Sequence, residues 1–281
     1  MGGGADLDEA FRWMCDHAGG GDFLVLRATG GDDYNPYIQK LCKLNSVATL
    51  VIPNKEAAQD PKVADIIRKA EALFISGGDQ SNYIKYWQGT PVQAELNALI
   101  RKGVPLGGTS AGLAVMGQFI FSAMNDSAYS KETLSNPYND RVTIASDFLV
   151  IPHLENLITD THFAKRDRQG RLVGFMARIL QDGMSKEIRA IGMDEKSAGL
   201  LAPDGTIKIV GFGKGAYFYR PSEKPESCAA GKPLTFRNIS VTKVATGETF
   251  DLSQWKGEGT SYQLNVVNGQ LSTTAVRGAP Y

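Results

Sequence analysis

Residues 104–117 constrain the fold of this 281-residue chain more than any other stretch. A short apolar run, typical of a strand, leads into Gly108-x-Ser110-x-Gly112, and a run of small residues typical of a helix follows. A strand that turns sharply into a helix with this spacing exposes its serine hydroxyl at the edge of a sheet. The glycines give the turn room, because a Cβ at either position would collide with neighbouring backbone. We predict that Ser110 is a nucleophile and that the Ala111 amide, at a helix N-terminus, helps to bind an oxyanion; the alternative is an ordinary glycine-rich turn.

The composition excludes several classes of partner. Thirty Lys and Arg residues balance thirty Asp and Glu residues, so the chain has no basic footprint and we expect no nucleic-acid partner. No apolar run approaches the roughly 20 residues that span a bilayer, so we expect no membrane partner. Cys15, Cys42 and Cys228 are too few and too scattered for a disulfide framework or a metal-binding cluster, although one pair is possible in an exported protein. We therefore expect no metal and no cofactor.

Short apolar runs alternate with segments of helical periodicity in the first half of the chain. This alternation predicts a mostly parallel sheet with helices on both faces. The predicted strands are 23–26, 47–52, 73–75 and 104–106, and the predicted helices are 8–17, 35–44, 62–72, 82–87 and 92–102. Further along, we predict strands at 148–151 and 188–193, a helix at 172–180, and a hairpin of 207–210 with 216–219 around the glycine-rich turn 211–215.

Both ends of the chain differ from this pattern. Residues 221–233 are rich in Pro, Ser and Glu, and residues 238–277 alternate without helical periodicity, so we predict an α/β domain over 1–220 with a small β extension, 221–281, packed on it. At the other end, the glycines from Gly2 to Gly4 form a loop of the kind that usually follows a strand. We therefore expect a first strand, or a strand behind a signal peptide, before Gly2, and we favour export over a cytoplasmic location.

Three polar or glycine-rich loops follow predicted strands: residues 29–34, residues 77–80 and the turn at Ser110. Ligands bind at the carboxyl ends of the strands in parallel sheets of this kind. We therefore expect the three loops to share one cleft, although each could also serve only to reverse the chain.

A nucleophilic serine needs a base, and the base needs an orienting acid. Of the three histidines, His17 lies on an early helix and His153 follows a proline, whereas His162 lies beside an aspartate and an arginine-rich turn. We favour His162 as the base. Asp194 and Glu195 both follow the strand 188–193 and so reach the same sheet edge; the residues alone leave the choice between them open.

Three arginines, Arg166, Arg168 and Arg171, follow the predicted base closely. Guanidinium groups bind carboxylates through paired hydrogen bonds, so the three suit recognition of an acidic substrate. The alternative is a solvated basic face with Asp167 as its counter-charge.

Four blocks together resemble the S51 serine peptidases, which include cyanophycinases and aspartyl dipeptidases: residues 77–80, 107–112, 160–171 and 191–195. The resemblance implies a fold like class I glutamine amidotransferases: a flavodoxin-like three-layer α/β sandwich with a mostly parallel central sheet. It also implies a triad of Ser110, His162 and Glu195, without a cofactor, and it allows a homodimer. The implied oxyanion donors are the amides of Gly78 and Ala111, and the implied substrate-binding residues are Gln80, Asp160, Thr161, Arg166, Arg168 and Arg171.

The function that the resemblance implies is hydrolysis of β-aspartyl linkages in cyanophycin, a poly-aspartate that carries arginine on its side chains, with release of β-Asp-Arg dipeptides. Cyanophycinases have glutamine directly before the histidine, where this chain has Thr161. An aspartyl dipeptidase acting on Asp-X peptides and a non-catalytic ligand-binding protein of the same fold are the alternatives. A glutamine amidotransferase is disfavoured, because its elbow nucleophile would be cysteine.

Overall fold

A computed structural model describes residues 1–278 and 281, and its first layer is a parallel sheet of four strands in the order β2-β1-β3-β4. These strands are β1 (Asp22–Arg27), β2 (Ser46–Val51), β3 (Ala72–Ile75) and β4 (Leu106–Gly108). Every side chain of β3 is buried, as expected for a strand covered on both faces. The predicted α/β architecture with a mostly parallel central sheet and additional β structure is confirmed.

Seven helices connect or flank these strands. They are α1 (Asp8–His17), α2 (Tyr34–Leu41), α3 (Lys55–Gln59), α4 (Pro61–Arg68), α5 (Gln80–Trp87), α6 (Pro91–Arg101) and α7 (Ala111–Ala114). Side-chain oxygens of Asn54, Asp60 and Asp79 accept hydrogen bonds from the first amides of α3, α4 and α5. Proline begins α4 and α6, where its missing N–H costs nothing.

The second sheet has eight strands in the order β16-β15-β12-β11-β8-β7-β5-β6. Its members are β5 (Phe119–Phe121), β6 (Ile144–Ser146), β7 (Leu157–Asp160), β8 (Arg189–Met193), β11 (Ala216–Pro221), β12 (Phe236–Val244), β15 (Thr260–Val267) and β16 (Gln270–Thr273). The helices α8 (Ser130–Ser135) and α9 (Gln169–Gln181) accompany it, and α9 supplies much of its core. The strands β5, β7 and β8 are parallel, so their carboxyl ends lie at one edge.

A small antiparallel sheet has the order β14-β13-β10-β9 and consists of β9 (Ser197–Leu201), β10 (Thr206–Gly211), β13 (Thr249–Asp251) and β14 (Lys256–Gly257). The predicted hairpin of 207–210 with 216–219 is therefore wrong: β10 pairs with β9 and β13, whereas β11 pairs with β8 and β12. The residues before β10 supply its antiparallel neighbour across a short turn, and the glycine-rich residues 211–215 carry the chain to the other sheet.

The strand predicted at 148–151 is also wrong, because that segment has no strand partner within the described residues. Side chains of α6 take its backbone hydrogen bonds: Asn97 Nδ2 donates to the Phe148 carbonyl at 3.0 Å and Asn97 Oδ1 accepts from the Val150 amide at 2.8 Å. Gln93 Nε2 donates to the same carbonyl at 2.8 Å. The apolar run reflects burial of an irregular segment against a helix.

The residues after 220 continue the eight-stranded sheet, because β12 pairs along β11 from Ala216 to Pro221. The division into 1–220 and 221–281 stays a prediction. A disulfide joins Cys15 of α1 to Cys42 after α2, while Cys228 is a buried free thiol. Within residues 1–278 and 281, no helix combines the length and apolarity needed to cross a bilayer.

Candidate active site

Ser110 lies at the turn between β4 and α7 with a φ of 51°. This left-handed backbone conformation is costly for a residue with a side chain and is typical of functional turns. A Cβ on Gly112 would overlap the Ile75 carbonyl oxygen, and a Cβ on Gly108 would lie 2.8 Å from the Gly112 carbonyl carbon. The predicted reason for glycine at both positions, steric collision with neighbouring backbone, is confirmed.

His162 follows β7 and faces the serine: its Nε2 lies 2.7 Å from Ser110 Oγ. On the other side of the ring, Nδ1 lies 2.6 Å from Oε1 of Glu195, which follows β8. The parallel pairing of β7 with β8 brings the two side chains to the same edge of the sheet. A serine, an imidazole and a carboxylate thus form one continuous hydrogen-bonded chain.

The other candidates for base and acid lie elsewhere. A ring nitrogen of His17 is bonded to the Trp13 carbonyl, and one of His153 is bonded to the Pro203 carbonyl. The Asp194 carboxylate accepts from the amides of Ala164 at 3.0 Å and Lys165 at 3.1 Å, so it holds the turn after His162 instead of facing the ring.

Burial lowers the pKa of His162, and the nearby Arg166 and Arg168 lower it further, although the hydrogen bond to Glu195 acts in the opposite direction. The hydrogen bond to His162 lowers the pKa of Glu195. At neutral pH the pair therefore consists of a neutral imidazole and an ionised carboxylate. This is the protonation state that a general base and its orienting acid require.

The loop after β3 lies beside the serine: a Cβ built on Gly77 would be 3.6 Å from Ser110 Cβ. The buried Tyr83 of α5 fixes this loop, because its hydroxyl donates to the carbonyls of Ser76 at 2.9 Å and Gly77 at 3.1 Å. The predicted oxyanion donors, Gly78 and Ala111, are thus on two backbone segments that flank Ser110.

Arg171 lies in the interior, with a side chain only 2% exposed. Its Nε donates to Asp160 Oδ2 at 2.8 Å and its Nη2 to Asp160 Oδ1 at 2.5 Å. The remaining nitrogen donates to Ser127 Oγ and to the Ala128 carbonyl. Because Asp160 also accepts from the amide of Thr161, this ion pair supports the backbone directly before His162.

The other predicted substrate-binding side chains lie nearer to solvent. Arg168 is 13% exposed, its Nη1 donates to the Thr161 carbonyl at 2.9 Å, and burial lowers its pKa to about 10. Arg166 is exposed. Gln80, half-buried at the start of α5, donates to the Phe121 carbonyl at 3.3 Å. Only Arg166 and Arg168 of the three arginines therefore have surface from which to contact a substrate.

Comparison with known proteins agrees with this arrangement. A sequence model described as Peptidase family S51 matches residues 23–178, more than half of the chain. The chain belongs to this family. It is similar to the cyanophycinase of Trichormus variabilis, with 29% identity over 213 residues that cover 74% of this chain and 66% of that protein. The cyanophycinase of Geminocystis herdmanii is 25% identical over 254 residues, 85% of each chain.

The matched part of this S51 chain thus spans just under two thirds of the length of the Trichormus variabilis relative. A crystal structure of a peptidase from an acI-B1 Actinobacterium superposes with a TM-score of 0.57 at 17% identity, covering 89% of this chain and 94% of that one. At this identity the likeness concerns the fold alone. The resemblance to S51 peptidases predicted from the four sequence blocks is confirmed.

Sequence reasoning did not connect the N-terminal glycines of the S51 chain with its active site. The His162 amide donates to the Gly2 carbonyl at 2.7 Å, so these residues lie against the base. Three successive glycines were the available signal, since such a run allows close approach to another group. Among residues 1–278 and 281, no group of three or more His, Cys, Asp or Glu side chains could hold a metal ion.

Proposed function

We propose that this chain is a serine isopeptidase that hydrolyses β-aspartyl linkages of a cyanophycin-type polymer and releases β-Asp-Arg dipeptides. The observation that carries the proposal is the continuous contact from Ser110 Oγ through His162, 2.7 Å on one side of the ring and 2.6 Å to Glu195 on the other. The cyanophycinases among its relatives supply the substrate class.

In the proposed mechanism, His162 Nε2 takes the Ser110 proton as Oγ attacks the carbonyl carbon of the scissile amide. The negative charge that develops on the carbonyl oxygen is stabilised by the amides of Gly78 and Ala111. The imidazolium then gives its proton to the leaving amine as the C–N bond breaks. A water molecule, deprotonated by His162, hydrolyses the acyl-enzyme, while Glu195 keeps the ring in the required tautomer and stabilises its charged form.

The substrate carries both carboxylates and guanidinium groups, and the proposed cleft has side chains for each. Arg166 and Arg168 would bind carboxylates of the poly-aspartate chain. The carboxylate of Asp160 is already paired with Arg171, so the exposed Asp79, which follows Gly78, is the better partner for a substrate guanidinium. Thr161, in place of a longer glutamine, leaves additional space next to the base.

The test is incubation of the purified chain with cyanophycin and, separately, with Asp-X dipeptides, followed by mass spectrometry of the products. Release of β-Asp-Arg from the wild type and its loss in Ser110→Ala, on the order of 10⁴-fold or more, supports the proposal. Turnover of Asp-X peptides alone would identify an aspartyl dipeptidase. Unchanged turnover in Ser110→Ala would overturn the serine mechanism, and binding without turnover by the wild type would identify a non-catalytic protein.

A further inference from the structure

We propose that two glycine runs distant in sequence, residues 2–4 and residues 211–215, position the His162–Glu195 pair by gripping its backbone from two sides. Neither run supplies a side chain to the chemistry, and the sequence alone indicated a loop and a turn. The inference rests on the proposed function of the pair and names the residues on which its geometry depends.

The N-terminal glycine segment, residues 2–4, bridges the base and the acid. The Gly2 carbonyl accepts from the His162 amide at 2.7 Å, and the Gly3 carbonyl accepts from the Lys196 amide at 2.9 Å. The Gly2 amide also donates to the Ser197 carbonyl at 2.9 Å. One short segment is therefore bonded on one side to the base and on the other to the turn that carries Glu195.

Side chains would destroy this close packing. A Cβ on Gly3 would overlap Cε1 of the His162 ring and lie 2.6 Å from its Nε2, the atom that faces the serine hydroxyl. A Cβ on Gly4 would lie 3.2 Å from Glu195 Cβ, which is tight but not impossible. Both glycines have positive φ, 97° and 78°, which residues with side chains rarely adopt.

The 211–215 loop holds the acid's turn from the other side. The amides of Phe212 and Gly213 both donate to the Lys196 carbonyl at 2.9 Å, and the Asp194 amide donates to the Gly215 carbonyl at 3.1 Å. A Cβ on Gly213 would overlap the Glu195 carbonyl oxygen.

These contacts matter because Glu195 is in neither a helix nor a strand: it follows β8 in a turn where Lys196 has a φ of 57°. Hydrogen bonds from the two glycine runs therefore fix a turn that its own conformation disfavours. Proton transfer depends closely on geometry, and a misplacement of about 1 Å can cost roughly 10²-fold in rate. Gly3, Gly4 and Gly213 are positioning residues in this sense.

The experiment compares Gly3→Ala, Gly4→Ala and Gly213→Ala with a matched control, Gly247→Ala. Gly247 has a φ of 93°, close to that of Gly3, but a Cβ there would meet nothing within 4 Å. We expect kcat to fall about 10²-fold in Gly3→Ala and Gly213→Ala, and less in Gly4→Ala, with KM nearly unchanged and the control close to wild type. Gly4→Ala is the mildest change and keeps the test available should the other two fail to fold.

A second readout separates positioning from general destabilisation. Because the hydrogen bond to Glu195 raises the pKa of His162, loosening it lowers that pKa, and the acid limb of the kcat profile moves to lower pH as its plateau falls. NMR titration of ¹⁵N-labelled His162 measures the same shift without any substrate. Folded variants that retain both wild-type kcat and the wild-type His162 titration would overturn the inference. A titration that moves in a protein without turnover would instead contradict the proposed function and leave the positioning role standing.

Discussion

Ser110 and His162 both have left-handed backbone conformations, with φ of 51° and 47°. Each such residue costs about 1–3 kcal/mol when it carries a side chain, and it persists only where its surroundings fix it. Hydrogen bonds from neighbouring segments provide that restraint: the Ser110 carbonyl accepts from Ala114, and the His162 amide donates to Gly2. The cost is therefore concentrated at the two residues whose side chains must meet.

Replacing the orienting acid separates the roles of two adjacent carboxylates. We expect Glu195→Gln to lower kcat by roughly 10⁴-fold with little loss of stability, because the amide no longer stabilises the charged ring in its working orientation. Asp194→Asn is the matched control: it weakens the bonds to the Ala164 and Lys165 amides, so it should lower the unfolding temperature more than Glu195→Gln does. Steady-state kinetics and thermal unfolding check both, and an intact rate in Glu195→Gln would assign the role to Asp194.

The pH dependence follows from the state of the base. The imidazole must be neutral to accept a proton, and its pKa is lowered from 6.5, so the acid limb of kcat/KM should lie below that value. Arg166→Gln removes a nearby positive charge, raises the pKa of His162 and should move this limb to higher pH. Arg237→Gln, which removes the partner of Glu226 in the extension, is the control. An acid limb that is identical in all three proteins would contradict the electrostatic argument.

At the scale of elements, four parallel strands deliver the site. The strands β7 and β8 are paired from Leu157 with Arg189 to Asp160 with Gly192, so the residues two positions beyond each strand, His162 and Glu195, lie side by side. The strands β3 and β4 are paired in the same way and bring the Gly77 loop next to Ser110.

Much of this arrangement could be predicted from the sequence, because local pattern determines it. The predicted helix 8–17 matches α1, and the Gly-x-Ser-x-Gly spacing identified the turn at Ser110. What could not be predicted depends on distant partners. Asn97 takes the backbone bonds of the segment 148–151, 51 residues away from Phe148, and no local pattern encodes that. Likewise Arg166 and Arg171 are alike in sequence, but Arg171 points from α9 into the interior.

The difference between these two arginines predicts different effects on stability. Arg171→Ala leaves the buried Asp160 carboxylate without its partner, and we expect a loss of about 3–5 kcal/mol in the free energy of unfolding. Arg166→Ala, at an exposed position, should change it by no more than about 0.5 kcal/mol. Urea denaturation of both variants is the measurement. Equal stability of the two would show that the buried ion pair contributes little.

At the scale of the whole molecule, the eight-stranded sheet crosses the predicted boundary after residue 220. On one side of β11 lies β8, which leads to Glu195, and on the other lies β12 of the extension. The terminal Tyr281 also reaches back: its hydroxyl donates to Asp167 and accepts from the amide of Gln169, at the start of α9. The extension is thus continuous with the catalytic layer through backbone hydrogen bonds.

A fragment of residues 1–220 should therefore not behave as an independent domain. Removal of β12 leaves β11 as an unpaired edge and exposes the buried Tyr217, Phe218 and Tyr219, which favours edge-to-edge association. We expect the fragment to aggregate or to unfold at a lower temperature than the full chain, as measured by size-exclusion chromatography and thermal unfolding. A soluble, monomeric fragment of unchanged stability would show that the extension is dispensable.

The disulfide between Cys15 and Cys42 closes a loop with a sequence separation of 27 residues. A cross-link of this length typically stabilises a protein by about 3 kcal/mol, so Cys15→Ser with Cys42→Ser should lower the free energy of unfolding by that order. Chemical denaturation of the wild type and the double variant measures it, and equal stability would contradict the expectation.

The same bond affects how the protein should be prepared. Disulfides persist in secreted proteins and are rare where cytosolic reductants act, in keeping with our preference for an exported location. An expression host with a reducing interior would yield two thiols at this corner, where the periplasm would yield a covalent link between α1 and the end of α2. Specific activities from two such batches would then describe two chemically different molecules, and a thiol assay on each batch should come before any comparison of their rates.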